Sequence, residues 1–181
     1  MKIFRAVASS WCAVLFLTSL CRAEPRVISI EWQEFAKPNL RARASYSPID
    51  KLRRAPTARA AGKVRAVVTL ENAAKESLEA IDLDFVVSAR LRKIGSDEKP
   101  TWAVPFRIAA RPIPLLGGGQ RKAVPLETLN IEAYLKELLV SGYWPVALKL
   151  EAQLRPRKGV PLAEAVASEL PVEWEAANAR P

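Results

Sequence analysis

The sequence predicts a mainly β protein: a seven-stranded antiparallel, immunoglobulin-like sandwich with one short helix at about 130–141, between the fifth and sixth strands. Three observations lead there. Apolar residues recur at every second position in several separate stretches, the period of a strand with one buried face. Only one stretch, around 131–139, changes to the helical period. The links between stretches are mostly short and turn-rich, with no regular helix between each pair, which argues against a parallel α/β sheet.

The first strand is read at Val27 to Phe35, where Ile28, Ile30 and Trp32 alternate. The second runs from Val64 to Glu71, with Val64, Ala66, Val68 and Leu70 facing inward, and ends at the turn residue Asn72. The third has the clearest pattern: Ile81, Leu83, Phe85, Val87, Ala89 and Leu91 alternate with Asp82, Asp84, Val86, Ser88, Arg90 and Arg92. Its length calls for a bulge or bend. After the loop Gly95–Pro100, a fourth strand is expected with Trp102, Val104, Phe106, Ile108 and Ala110 on its core face. Pro105 pushes that strand toward an edge or an irregular position.

Pro112-Ile113-Pro114 and Gly117-Gly118-Gly119 then punctuate the chain before a short fifth strand at Arg121–Glu127. The helical stripe follows in Ile131, Tyr134, Leu135, Leu138 and Leu139, with Asn130 expected as N-cap and Gly142 as terminator. Val146, Leu148, Leu150, Ala152 and Leu154 return to strand spacing, and the last strand covers about Leu162–Trp174.

Residues 1–23 read as a signal peptide. Lys2 and Arg5 form a basic start, Ala6 to Leu20 is apolar or small, and Cys21-Arg22-Ala23 places small residues at −3 and −1 of a cleavage site. A lipid-attachment signal needs a small residue before a cysteine, and Trp11 and Leu20 occupy those positions. The expected organisation is thus a leader at 1–23, one sandwich domain at 24–175 carrying a long basic loop at about 37–63, and a tail at 176–181. No transmembrane segment is expected after cleavage.

Both cysteines, Cys12 and Cys21, fall in the leader, and the chain has no histidine. Residues 24–181 therefore lack Cys, His and Met together. Ser-His-Asp and Cys-His catalysis is excluded there, as are thiolate- or imidazole-bound metals. No cofactor and no metal is expected. Stability has to come from packing rather than disulfides, which a domain of this length can achieve.

The charge is uneven. Of 28 bases, Lys2, Arg5 and Arg22 belong to the leader, which leaves 25 against 19 acids. Residues 37–65 hold nine bases (Lys37, Arg41, Arg43, Lys51, Arg53, Arg54, Arg59, Lys63 and Arg65) and one acid, Asp50. That segment has no clear period and is long for a structureless loop. Its arginines can bind carboxylate, sulfate or phosphate in bidentate fashion. Arg41, Arg43, Arg53, Arg54 and Arg59 are the candidate ligand-binding residues. Tyr46 is the only aromatic among the bases, so stacking on nucleic-acid bases has little support and nucleic acid is not an expected partner. The plain alternative is a solvated loop.

The other candidates each have a structural reading beside a functional one. Asp82 and Asp84 share a strand face roughly 7 Å apart, which suits acid–base work or an ordinary solvent face. Asp97 and Glu98 are calcium-ligand types without the spaced series of a dedicated loop, and otherwise form a hairpin tip. Gly117–Lys122 lacks the Gly-Lys-Ser/Thr ending of a nucleotide loop and reads as a turn. Trp32 and Trp102 are expected in the core, and Tyr143-Trp144-Pro145 partly exposed.

The function expected is a non-enzymatic binding or assembly module of the bacterial cell envelope, periplasmic or extracellular. It would contact an unknown protein or anionic envelope polymer through residues 37–65. The alternatives are a hydrolase using carboxylates or a Ser-Lys pair, and a passive structural module.

Overall fold

The computed structural model describes residues 25–36, 45–54, 63–155 and 163–174. Their elements, in chain order, are β1 (Arg26–Ala36), β2 (Ser45–Pro48), β3 (Leu52–Arg54), β4 (Lys63–Glu71), β5 (Leu78–Lys93), β6 (Thr101–Trp102), β7 (Arg107–Leu116), β8 (Arg121–Pro125), β9 (Leu129–Asn130), α1 (Ile131–Val140), β10 (Tyr143–Arg155) and β11 (Val166–Trp174).

Two sheets result. The first runs β2-β1-β4-β8, with β9 continuing along the same edge of β4. The second runs β3-β11-β10-β5, with β6 and β7 following one another along the outer edge of β5. Every pairing is antiparallel except β3 with β11.

The alternation in the sequence becomes the core directly. Val64, Ala66, Val68 and Leu70 of β4 are buried, as are Ile81, Leu83, Phe85, Val87 and Ala89 of β5 and Leu148, Leu150, Ala152 and Leu154 of β10. These residues, with Trp32 of β1 and Leu170 of β11, form one hydrophobic cluster between the sheets. Burial of such apolar area is the main favourable term in folding, on the order of 25 cal/mol per Å².

Each of the seven anticipated stretches contains a strand, but the described residues form eleven strands rather than seven. Two of the additional ones, β2 and β3, lie inside the segment expected to be a basic loop. That segment crosses the sandwich. β2 pairs with the end of β1 (Phe35 opposite Tyr46), and β3 joins the second sheet beside β11 (Leu52 opposite Val172). Leu52 is completely buried, which explains why the crossing is held. Because β3 arrives from the other sheet and not through a hairpin, it can lie parallel to its neighbour, against the fully antiparallel expectation.

The fourth stretch is broken into β6 and β7; Phe106, between them, packs against the core as expected, but the other residues of its apolar set do not. Trp102 pairs with Arg90, Ile108 with Val86 and Ala110 with Asp84, all on the outward face of β5. Val104 is 84% exposed and Ile108 71%. The opposite parity, Arg107, Ala109, Arg111 and Ile113, faces inward. The reason is position. β7 lies at the sheet edge, where the inward positions near its start overlook the open side of the sandwich. Arg107 uses that gap to reach Glu127, beyond the end of β8, through guanidinium–carboxylate bonds of 2.5–2.8 Å. Inward-pointing charges and prolines are known protections of sheet edges, and Pro112 and Pro114 follow in the same strand.

The helix forms where expected. It buries Ile131 and Leu135, and Tyr134 stacks on Phe106 with ring centroids 4.0 Å apart. Gly142 ends it at φ 79°, donating to the Leu139 carbonyl. Asn130, in contrast, makes no capping side-chain bond. It is taken up as the last residue of β9, opposite Lys63. None of the described helices is long and apolar enough to cross a membrane.

Candidate functional site

The register places the flanks of the basic segment at one end of the sandwich. Ala36 pairs with Ser45, and Lys63 precedes Val64, which pairs with Glu34. In the second sheet Arg54 pairs with Trp174, beyond Pro171, which lies opposite Ala147 near the start of β10. The residues bounding 37–44 and 55–62 thus sit at the end that carries α1.

Of the candidate ligand-binding arginines, Arg41, Arg43 and Arg59 lie outside the described residues, as do the leader 1–23 and the tail 176–181. Arg54 is the last residue of β3. Arg53 is exposed and its Nε lies 3.8 Å from a Glu173 oxygen that also belongs to the carboxylate held by Lys51. Lys63 lies over the Phe35 ring at 5.7 Å. Arg65 lies over Tyr46 at 3.7 Å from the ring centroid and donates from Nε to Gln33 Oε1. The Tyr46 hydroxyl meets that of Thr128 at 2.6 Å. The described bases of the segment are therefore partly committed to the domain itself, a packing of cation stems and ring faces that composition does not reveal.

Asp82 and Asp84 do share the outward face of β5. Between them stands Arg155, with Nε 2.9 Å from Asp84 and Nη2 3.5 Å from Asp82. The pair reads as an ordinary ion-paired sheet surface.

A serine and a lysine also meet. Lys149 of β10 lies directly opposite Ser88 of β5 on the outward face. Its ammonium is 3.2 Å from Glu151 and 4.8 Å from the centre of the Trp102 ring, so it spans β5. This cover accounts for the burial of Ser88 on a face that is otherwise solvated.

The glycine-rich stretch is a clamped turn. Asn72, fully buried, donates from Nδ2 to the carbonyls of Glu76, Leu116 and Gly117 at 2.8, 3.2 and 3.2 Å. Its Oδ1 accepts from the Ala74 N–H and its own N–H bonds the Gln120 carbonyl. Gly119 donates to the Ala74 carbonyl at φ 66°, and a Cβ on Gly118 would stand 2.0 Å from the Lys75 oxygen. These amides close two loops against one another instead of cradling a phosphate. The signal in the sequence was Asn72 itself, whose partners lie 44 and 45 residues away.

Asp97 and Glu98 are exposed in the loop after β5, where the Glu98 N–H donates to Ser96 Oγ. Among the described residues no group of three or more His, Cys, Asp or Glu side chains is placed to hold a metal. Among the described residues, Glu71 and Tyr134 have altered titration. Arg26 and Arg121 grip Glu71 from both sides and hold its carboxyl below the usual range, while burial, and secondarily Glu137, pushes the Tyr134 hydroxyl up.

Trp32 is 3% exposed, as expected, whereas Trp102 is 38% exposed on the outward face, against expectation. Tyr143 is exposed, Trp144 half-buried and Pro145 buried.

No family model and no curated protein matches this chain. Among solved structures it is similar to the AT1g01470 protein of Arabidopsis thaliana, at 13% identity and a TM-score of 0.43, over 94% of this chain and 95% of that one. It is also similar to Spo0M, a sporulation control protein of Bacillus subtilis, at 12% identity and a TM-score of 0.37. That match covers 81% of this chain and spans half the length of the Spo0M chain. Both scores are below 0.5, so neither likeness carries a function across.

Proposed function

We propose that this chain is an exported, non-enzymatic binding or assembly module of the cell envelope, built as an immunoglobulin-like sandwich, that contacts an acidic partner through residues 37–65. The observation that carries the reading is the shared placement of Ala36, Ser45, Arg54 and Lys63 at the α1 end. The described residues that bound 37–44 and 55–62 all lie at that end of the packed domain.

The immunoglobulin-like reading rests on how the long strands divide. The first, second and fifth (β1, β4, β8) form one sheet, and the seventh, sixth, third and fourth (β11, β10, β5, β7) form the other in that order. This is the two-sheet partition of such sandwiches with the fourth strand moved beside the third. Export is supported by residues 1–23. A binding role is favoured over hydrolysis because Asp82 and Asp84 are matched by Arg155, and Lys149 by Glu151 and Trp102.

The test is recovery of a partner from envelope extract by the parent protein and by a variant with Arg41, Arg43 and Arg59 replaced by Gln. Loss of the partner with unchanged thermal stability is the expected result. Equal recovery by both proteins overturns the assignment to 37–65. N-terminal sequencing of the exported protein should begin at Glu24 or within a few residues of it.

A further inference from the structure

We propose that the outward face of the second sheet, at its α1 end, is a docking face for an anionic polysaccharide. The inference rests on the reading of the chain as a binding module and adds both a second contact face and the class of partner.

The outward side chains of β5 change sign along the strand. Asp82 and Asp84 stand at one end, Val86 and Ser88 in the middle, and Arg90 and Arg92 at the α1 end. The acidic end is partly offset by Arg155, which pairs with both carboxylates. The basic end is not: Arg90, Arg92, Lys93 and Lys99 form no ion pair among the described residues. Asp97 and Glu98 border the same hollow as Arg92 and Lys99 without pairing with them, so four bases face two acids and a positive excess remains at this end.

Two indoles frame it. Trp102 pairs with Arg90 on one side of β5, and Trp144 pairs with Arg92 on the other. Directly paired residues point to the same face, so two Trp–Arg pairs sit on successive outward rungs. Two strand spacings and one two-residue step put the two tryptophan backbones about 12 Å apart on the diagonal. Lys149, paired with Glu151, lies over Trp102 and holds the indole against the sheet without adding net charge.

Aromatic faces stack on ring-shaped ligands, and guanidinium forks bind carboxylate or sulfate in bidentate fashion. A chain of sugar rings bearing carboxylate or sulfate groups offers both complements in alternation along a flat surface. A protein partner fits less well. Protein interfaces place apolar anchors at the centre and charges at the rim. Here Arg90 and Arg92 lie on the strand between those that carry the two tryptophans, and the exposed aliphatic residue of that face, Ile108, stands two rungs away opposite Val86, toward the acidic end.

The experiment measures binding of the purified protein to polygalacturonate, neutral dextran and poly-L-glutamate at low and physiological salt. Three variants accompany the parent: Arg90→Gln with Arg92→Gln; Trp102→Leu, which keeps apolar cover over Ser88; and Arg41→Gln with Arg43→Gln and Arg59→Gln. Polygalacturonate should bind and dextran should not. The double arginine variant and Trp102→Leu should each weaken binding by about tenfold or more, with thermal midpoints within about 2 °C of the parent. A loss confined to the Arg41/Arg43/Arg59 variant overturns the sheet-face proposal and leaves the role of 37–65 intact. A loss confined to the sheet-face variants does the reverse. No effect of Trp102→Leu reduces the interaction to plain charge attraction and overturns the proposal. So does the absence of polygalacturonate binding, or poly-L-glutamate binding of equal strength, which points instead to an acidic protein.

Discussion

The Nδ2 of Asn72 donates to the carbonyl oxygen of Leu116 at 3.2 Å, in a position closed to solvent and 44 residues away in the sequence. One amide thus joins the loop after β4 to the end of β7. Replacing it leaves buried carbonyls and the Ala74 N–H without partners. Asn72→Ala is expected to destabilise by about 2–4 kcal/mol, read as a lower urea midpoint at unchanged slope. A cost under about 0.5 kcal/mol would mean that water replaces the amide freely.

The neighbouring glycines separate two reasons for glycine. Gly118 has no room, since an added Cβ would meet a backbone oxygen at 2.0 Å. Gly119 has room but sits at φ 66°. Gly119→Ala should cost about 1 kcal/mol, the ordinary left-handed penalty. Gly118→Ala should cost more, because the Lys75 carbonyl is held in the same clamped loop. Equal urea midpoints for the two variants would show that the loop moves aside.

Phe85 is 4% exposed at the centre of β5. Phe85→Ala should lower stability by roughly 3–5 kcal/mol. In the same strand Val86→Ala, on the outward parity, should cost under about 1 kcal/mol. Chemical denaturation of both variants tests the face assignment directly, and similar losses would contradict it.

Glu71 sets an acid limit. Its carboxyl is held below its ordinary value of 4.5 by bonds from Arg26 and Arg121. A depressed folded value means the unfolded chain takes up the proton first as pH falls. The stabilisation is therefore complete above about pH 4.5 and is lost as pH drops through the lower folded value. Glu71→Gln should be less stable than the parent at pH 6, and the difference should shrink below pH 4 (about half a unit under the ordinary value). Thermal midpoints of both proteins across that range provide the check, and a gap that stays constant to pH 3 would contradict the linkage.

Much of the fold was legible in the sequence. The alternation from Ile81 to Leu91 determined β5 and its buried face, because a central strand has one face on the core along its whole length. The Ile131–Leu139 stripe and Gly142 determined α1 and its end in the same local way. Asn72 and the glycines marked turns, though not that the two turns bind each other.

What only the tertiary structure decided concerns edges, crossings and faces. Trp102 and Ile108 keep strand spacing, but the period carries no sign, and an edge strand at the open side of the sandwich turned its apolar set outward and its arginines in. β2 and β3 have four and three residues, too few to show a period, and form only because Phe35, Tyr46 and Leu52 find partners on already built sheets. Arg90 and Arg92 were visible as an outward pair. That they stand between Trp102 and Trp144 depends on register with two other strands, which no local pattern encodes, since pairing is chosen by the packing of the whole core.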